Sequence, residues 1–307
     1  MSRVKLHKKE GKPVKEWVIS PAEKRKLNLE FKNVSTNQKI KHVKLDVDIN
    51  DLRIVPEKFL HKHLLDPHWF WHFYFCKPRY RVRKNQKNLT EMEWQRFIHA
   101  IEALAESSMP SPNYDEFVEI HRQAMDTPAG HAWGAHGGIS FLSWHREYLA
   151  KLEARLIAIN PLVSIPYWNW VEDRVAIPTQ LSDPTDISDW GITRGGSFNG
   201  SSLATAANVA NLMAITDFPT FTSTLEQAPF HNRLHGLVGG TMVLSTSPAD
   251  PLFWLHHGFI DKLWADWQVL HPGVNPSNMN TTLQPSPIMT RKVSEVIDTQ
   301  ALGYVYG

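Results

Sequence analysis

The sequence predicts a mainly α-helical domain over residues 79–307, preceded by a basic extension, residues 1–78, that reads in part as β-strand. Three observations predict it. Apolar residues recur at helical spacing beyond residue 79. Charge is unevenly divided: residues 1–78 carry a formal balance of about +8, so the remainder carries about −6 to reach the chain's +2. Histidines, 16 in all, gather at intervals that place several on common helix faces.

The extension starts with a Lys-rich arm. Residues 39–48 alternate polar and apolar, the pattern of a half-exposed strand. It ends in an aromatic run, Trp69-Phe70-Trp71-His72-Phe73-Tyr74-Phe75. No nucleic-acid motif accompanies the basic arm, so no nucleic-acid partner is expected. A solvated tail, packing, shielding of the second unit, or self-assembly as a homo-oligomer are the roles open to it.

Beyond residue 79 the elements follow in order. Thr90 caps a helix whose apolar residues are Trp94, Phe97, Ile98, Ile101 and Leu104. Residues 114–125 read as a second helix and 141–159 as a longer third, ended by Asn160-Pro161. Residues 175–215, rich in Ser, Thr, Gly, Ala and Pro, read as an irregular excursion. Helix returns over 221–238 and 251–270.

Composition narrows the function classes. Hydrophobic residues at 42% and charged residues at 21% suit a globular protein of 307 residues. No apolar run of about 18 residues occurs, so no membrane partner is expected. The polar, basic start is not followed by an apolar core of the secretory type, so a cytoplasmic chain is expected, with export alongside a partner as the alternative. A single cysteine, Cys76, excludes an intramolecular disulfide.

The histidine spacing carries the chemistry. His231 and His235 lie four apart, on one helix face, where both rings can reach one metal. His256 and His257 follow in 250–264. Adjacent helical residues point about 100° apart, so one of the pair is expected to face the site. Asp261, four after His257, is placed to accept a ligand histidine's free N–H. A first cluster joins His121, His136 and His145. Histidines on four predicted helices, without Cys or an acidic triad, favour copper or zinc over calcium or magnesium.

Ser143-Trp144-His145-Arg146-Glu147-Tyr148-Leu149, His231-Asn232-Arg233-Leu234-His235 and Asp250-Pro251-Leu252-Phe253-Trp254-Leu255-His256-His257-Gly258-Phe259-Ile260-Asp261-Lys262-Leu263-Trp264 resemble the two copper signatures of the tyrosinases, within the type 3 copper proteins. Ile165-Pro166-Tyr167-Trp168-Asn169-Trp170 and the segment from Arg81 to Gln86 are similar too. The resemblance covers roughly residues 80–307 and is closest to the compact bacterial tyrosinases.

The resemblance implies a central four-helix bundle holding two copper ions, with O2 as co-substrate. By position, His121, His136 and His145 hold copper A, and His231, His235 and His257 hold copper B. His256 then stands behind the ligands, and His131 matches no ligand position. The implied reaction is ortho-hydroxylation of phenols and oxidation of catechols to o-quinones; oxidation of catechols or o-aminophenols with little hydroxylation is the alternative, and O2 carriage a third reading. Glu226 and Asn232 match the pair thought to hold a water that deprotonates the phenol. Gly236 sits where access is controlled. The thioether-forming Cys of fungal and plant relatives has no counterpart beside His136. The basic extension has no counterpart in the family pattern either, and copper loading through His61, His63, His68 and His72 is a further role open to it.

Overall fold

The computed structural model describes residues 80–106, 109–195 and 198–307. The expected domain boundary at 78/79, the strand over 39–48, the aromatic run and His61, His63, His68 and His72 lie outside them. Residues 80–307 belong to one compact unit.

Strand β1 (Arg81–Arg83) opens the described chain. Helix α1 (Glu91–Leu104) begins as expected: the Thr90 hydroxyl accepts from Glu93 N, and the Glu93 carboxylate accepts from Thr90 N. It buries Trp94, Phe97, Ala100, Ile101 and Leu104 on one face. Helix α2 (Tyr114–Asp126) has the same kind of cap, from Asn113 and Glu116. A single turn, α3 (Pro128–His131), precedes the loop to α4 (Phe141–Ile159). The chain leaves α4 at Asn160, before Pro161, whose ring restricts it to extended conformations.

Residues 175–215 are less irregular than their composition predicts. They include α5 (Pro184–Asp189) and α6 (Ala206–Met213). Asp183 caps the first, and a Thr205–Asn208 capping box starts the second. The stretch expected as helix over 221–238 is two helices, α7 (Phe218–Glu226) and α8 (His231–Val238). Pro229 separates them, because it has no N–H to donate and its ring would strike the carbonyl four residues back. Helix α9 (Leu252–Leu270) is the last long element.

The two 19-residue helices α4 and α9 pack together and are buried on most sides. Helix α1 lies against α4, and α8 against α9. Trp144, Trp254, Trp264 and Trp267 are fully buried in this core, which explains much of the chain's tryptophan content. Strand β2 (Tyr304–Tyr306) returns the C-terminus to β1 in parallel, with Arg81 opposite Tyr304 and Arg83 opposite Tyr306. No helix among the described residues is long and apolar enough to cross a membrane. The fold is therefore mainly α, with α2, α4, α8 and α9 forming the frame on which the histidines sit.

Candidate metal centre

Helix α2 supplies His121, the loop before α4 supplies His136, and α4 supplies His145. Ligand atoms of these three lie within 4.8 Å of one another. The Nε2 atoms of His121 and His136 are 3.2 Å apart. Helix α8 supplies His231 and His235, and α9 supplies His256 and His257; these four form a second cluster by the same measure. The clusters adjoin. The His145 ring stacks on His257 with centroids 4.2 Å apart, and His136 is 5.9 Å from His231.

The hydrogen bonds fix which nitrogen each ring turns inward. His121 Nδ1 donates to the Ser245 carbonyl at 2.7 Å, His145 Nδ1 to the Phe141 carbonyl at 2.9 Å, and His235 Nδ1 to the Met242 carbonyl at 2.5 Å. His231 Nδ1 faces Asn232 Oδ1 at 2.8 Å and the Glu226 carbonyl at 3.2 Å. A carbonyl can only accept, so in these rings the proton sits on Nδ1 and Nε2 carries the lone pair. Buried Nε2 atoms of His145, His231, His235, His256 and His257, and Nδ1 of His257, have no hydrogen-bond partner. Such buried polar atoms are costly unless something satisfies them.

Burial lowers the pKa of His121, His145, His231 and His257 well below the usual histidine value, with neighbouring histidines adding to it. Burial likewise lowers His235 to about 4. All are neutral near pH 7, the form a metal requires. An all-imidazole donor set in two groups suits copper. The residues present fit two copper ions.

One loop serves both clusters. Met242 holds His235 of α8 and Ser245 holds His121 of α2, each through its carbonyl. Gly240, at φ 54°, turns the chain after α8, and a Cβ there would lie 2.2 Å from the Thr193 carbonyl oxygen. These contacts run through main-chain carbonyls and have no side-chain signature.

The expected accessory residues divide. The Glu226 carboxylate, 5% exposed, accepts from Gly137 N at 2.7 Å and lies 3.4 Å from His136 Nδ1. Asn232 is exposed at the start of α8; its Nδ2 donates to Gln227 Oε1 at 3.1 Å. Glu226 thus contacts the first cluster and Asn232 the second. Gly236 is exposed, and a Cβ built on it meets nothing within 4 Å. His131 is exposed with Nε2 against the Met125 carbonyl, away from both clusters.

Two expectations are corrected. Among the described residues, Asp261 accepts from no histidine. Its carboxylate takes Arg146 Nε at 2.5 Å, Arg83 Nη1 at 3.4 Å, and the Tyr304 and Tyr306 hydroxyls at 2.6 and 2.5 Å. A buried carboxylate is stabilised far more by guanidinium than by a neutral imidazole N–H. Burial opposes its ionisation, but Arg146 and Arg83 outweigh that and hold its pKa below the usual range. Secondly, both His256 and His257 reach the second cluster, although adjacent helical residues diverge. The imidazole arms are long enough to converge on His231 and His235, with ring centroids 4.9–5.7 Å apart.

The described chain resembles known proteins over this region. The common central domain of tyrosinase matches residues 111–204 and 192–270. Tyrosinase from Streptomyces glaucescens is 35% identical over 235 residues, 62% of this chain and 84% of that protein. Tyrosinase from Streptomyces antibioticus is 33% identical over 257 residues, 66% of this chain and 92% of that protein. Among solved structures, a functional unit of octopus hemocyanin superposes with a TM-score of 0.60 at 23% identity, covering 74% of this chain and 68% of that one. Polyphenol oxidase from Vitis vinifera gives 0.58 at 20% identity, covering 75% and 85%. The solved structures agree on the fold, and the sequence matches fall on the histidine-bearing helices, so the chain belongs to the tyrosinase family of binuclear type 3 copper proteins.

Proposed function

We propose that the protein oxidises phenols with O2 at a copper pair held by His121, His136 and His145 on one side and His231, His235 and His257 on the other. One observation carries this reading: two groups of convergent imidazoles adjoin through the stacked rings of His145 and His257, at 4.2 Å. Copper bound there supplies the redox chemistry that activates O2. Overall, a monophenol and O2 give an o-quinone and water, and two catechols with O2 give two o-quinones and two waters.

The chain's own residues handle the phenol and its proton. A phenol's pKa is about 10, so at neutral pH it must lose a proton to bind a metal. Glu226 borders the first cluster at His136 and Asn232 the second at His231, and a water held between them would carry that proton to the carboxylate. Glu226 also fixes the His136 loop by accepting from Gly137 N. Asn232 orients His231 through Nδ1, and Gln227 holds the Asn232 amide in that orientation. Gly236 leaves the approach beside His235 open, which suits a bulky phenol.

Oxygen uptake by copper-loaded protein given tyrosine, a catechol and an o-aminophenol tests the proposal. Uptake with tyrosine and with catechol is expected. No uptake with any of the three would overturn it, and uptake with catechol or o-aminophenol alone would remove the hydroxylation step.

A further inference from the structure

The second cluster holds four histidines, and direction does not decide between His256 and His257. Both rings are buried, and both bring a nitrogen within 4.8 Å of the ligand atoms of His231 and His235. If all four bound, copper B would be closed; a reactive metal needs an open position for its substrate. Something must keep one ring out.

The hydrogen bonds single out His256. Trp170 Nε1 lies 3.1 Å from His256 Nδ1, and both side chains are fully buried. An indole N–H can only donate, so His256 Nδ1 must be unprotonated. A neutral ring then carries its proton on Nε2, and an N–H has no lone pair for a metal. In His145, His231 and His235 the arrangement is reversed: Nδ1 faces an oxygen and Nε2 has no partner; His121 Nδ1 also faces an oxygen, with its Nε2 turned to His136 Nε2 at 3.2 Å. His257 has neither nitrogen engaged. The second cluster therefore holds rings of opposite tautomer, and His256 is the one opposite an indole donor.

We infer that Trp170 selects His257 over His256 as the third copper B ligand, by holding His256 in the Nε2–H tautomer and so leaving a coordination position open. Trp170 is a positioning residue, since it acts on the metal through His256. The inference rests on the reading of the second cluster as a copper site, but its tautomer can be measured without metal.

Nitrogen-15 NMR of the metal-free wild-type protein, with histidines labelled, is expected to show His256 protonated at Nε2 and bare at Nδ1. The opposite tautomer overturns the inference, whatever copper does. Trp170→Phe keeps most of the buried volume and removes the donor. Copper-loaded Trp170→Phe, probed with azide as the exogenous ligand, is expected to bind azide on the order of 10-fold or more weakly, the usual reach of a residue behind a metal ligand. The double variant Trp170→Phe/His256→Phe is expected to recover azide binding. Unchanged azide affinity in Trp170→Phe overturns the inference. Failure of the wild type to take up copper overturns the copper reading instead, with the tautomer measurement unaffected.

Discussion

The Asp261 carboxylate accepts Arg146 Nε at 2.5 Å, and so ties together the two helices that carry His145 and His257. Arg146 follows His145 on α4, and Asp261 lies one turn after His257 on α9. Arg83 of β1 and Tyr304 and Tyr306 of β2 close on the same carboxylate. The first and last strands of the domain therefore meet behind the metal site. Removing the carboxylate strips the buried Arg146 guanidinium of its counter-charge, whereas Arg83 keeps Glu153 at 2.8 Å. Asp261→Ala is expected to cost roughly 3–5 kcal/mol, read from urea unfolding of metal-free protein. A loss under about 1 kcal/mol, the scale of an exposed ion pair, would show that the cluster does not hold the domain together.

Much of the site was legible because its ligands sit on regular elements. The four-residue spacing of His231 and His235 specifies one helix face, and α4 runs over the residues its periodicity predicts, 141–159. The Asp261 cluster was not legible. Its partners lie 43 to 178 residues away in sequence, and a helix-face argument can see only near neighbours. Trp170 belongs to a recognised motif, but its role depends on the side chain's direction. Helix α6 was hidden by its Ser- and Ala-rich surroundings, although the Thr205–Asn208 capping pair was there to be found.

Glu226 offers a separation of the two activities. Its carboxylate borders the first cluster, while a catechol is easier to deprotonate than a monophenol. Glu226→Gln keeps the size and an acceptor for Gly137 N. Turnover of a monophenol is expected to fall by about 10²–10⁴, the range for losing a general base, with a smaller fall for catechol. Equal losses on both substrates would assign Glu226 to holding the His136 loop alone.

Acid should weaken the metal-free protein. An unfolded histidine titrates near about 6.5, whereas His235 does so at about 4 in the folded chain, and His121, His145, His231 and His257 are also shifted down. As pH falls below the unfolded value, the unfolded chain takes up protons that the folded chain refuses. Stability from these groups is thus complete above about 6.5 and drains away as pH falls toward about 4. Urea midpoints at stepped pH values should decline over that window. A flat profile would mean that the rings are solvated.

Thr90 provides a control remote from the metal. Its hydroxyl accepts from Glu93 N at 3.2 Å at the start of α1. Thr90→Ala is expected to lower stability by about 1 kcal/mol while leaving copper content unchanged. Copper loss in this variant would show that α1 is coupled to the site.

Copper content after reconstitution tests the central claim most directly. The wild type is expected to hold two copper ions per chain. His257→Ala is expected to hold one, and His256→Ala to retain most of its second copper. Two coppers in His257→Ala, or equal loss in both variants, would contradict the assignment of the six histidines.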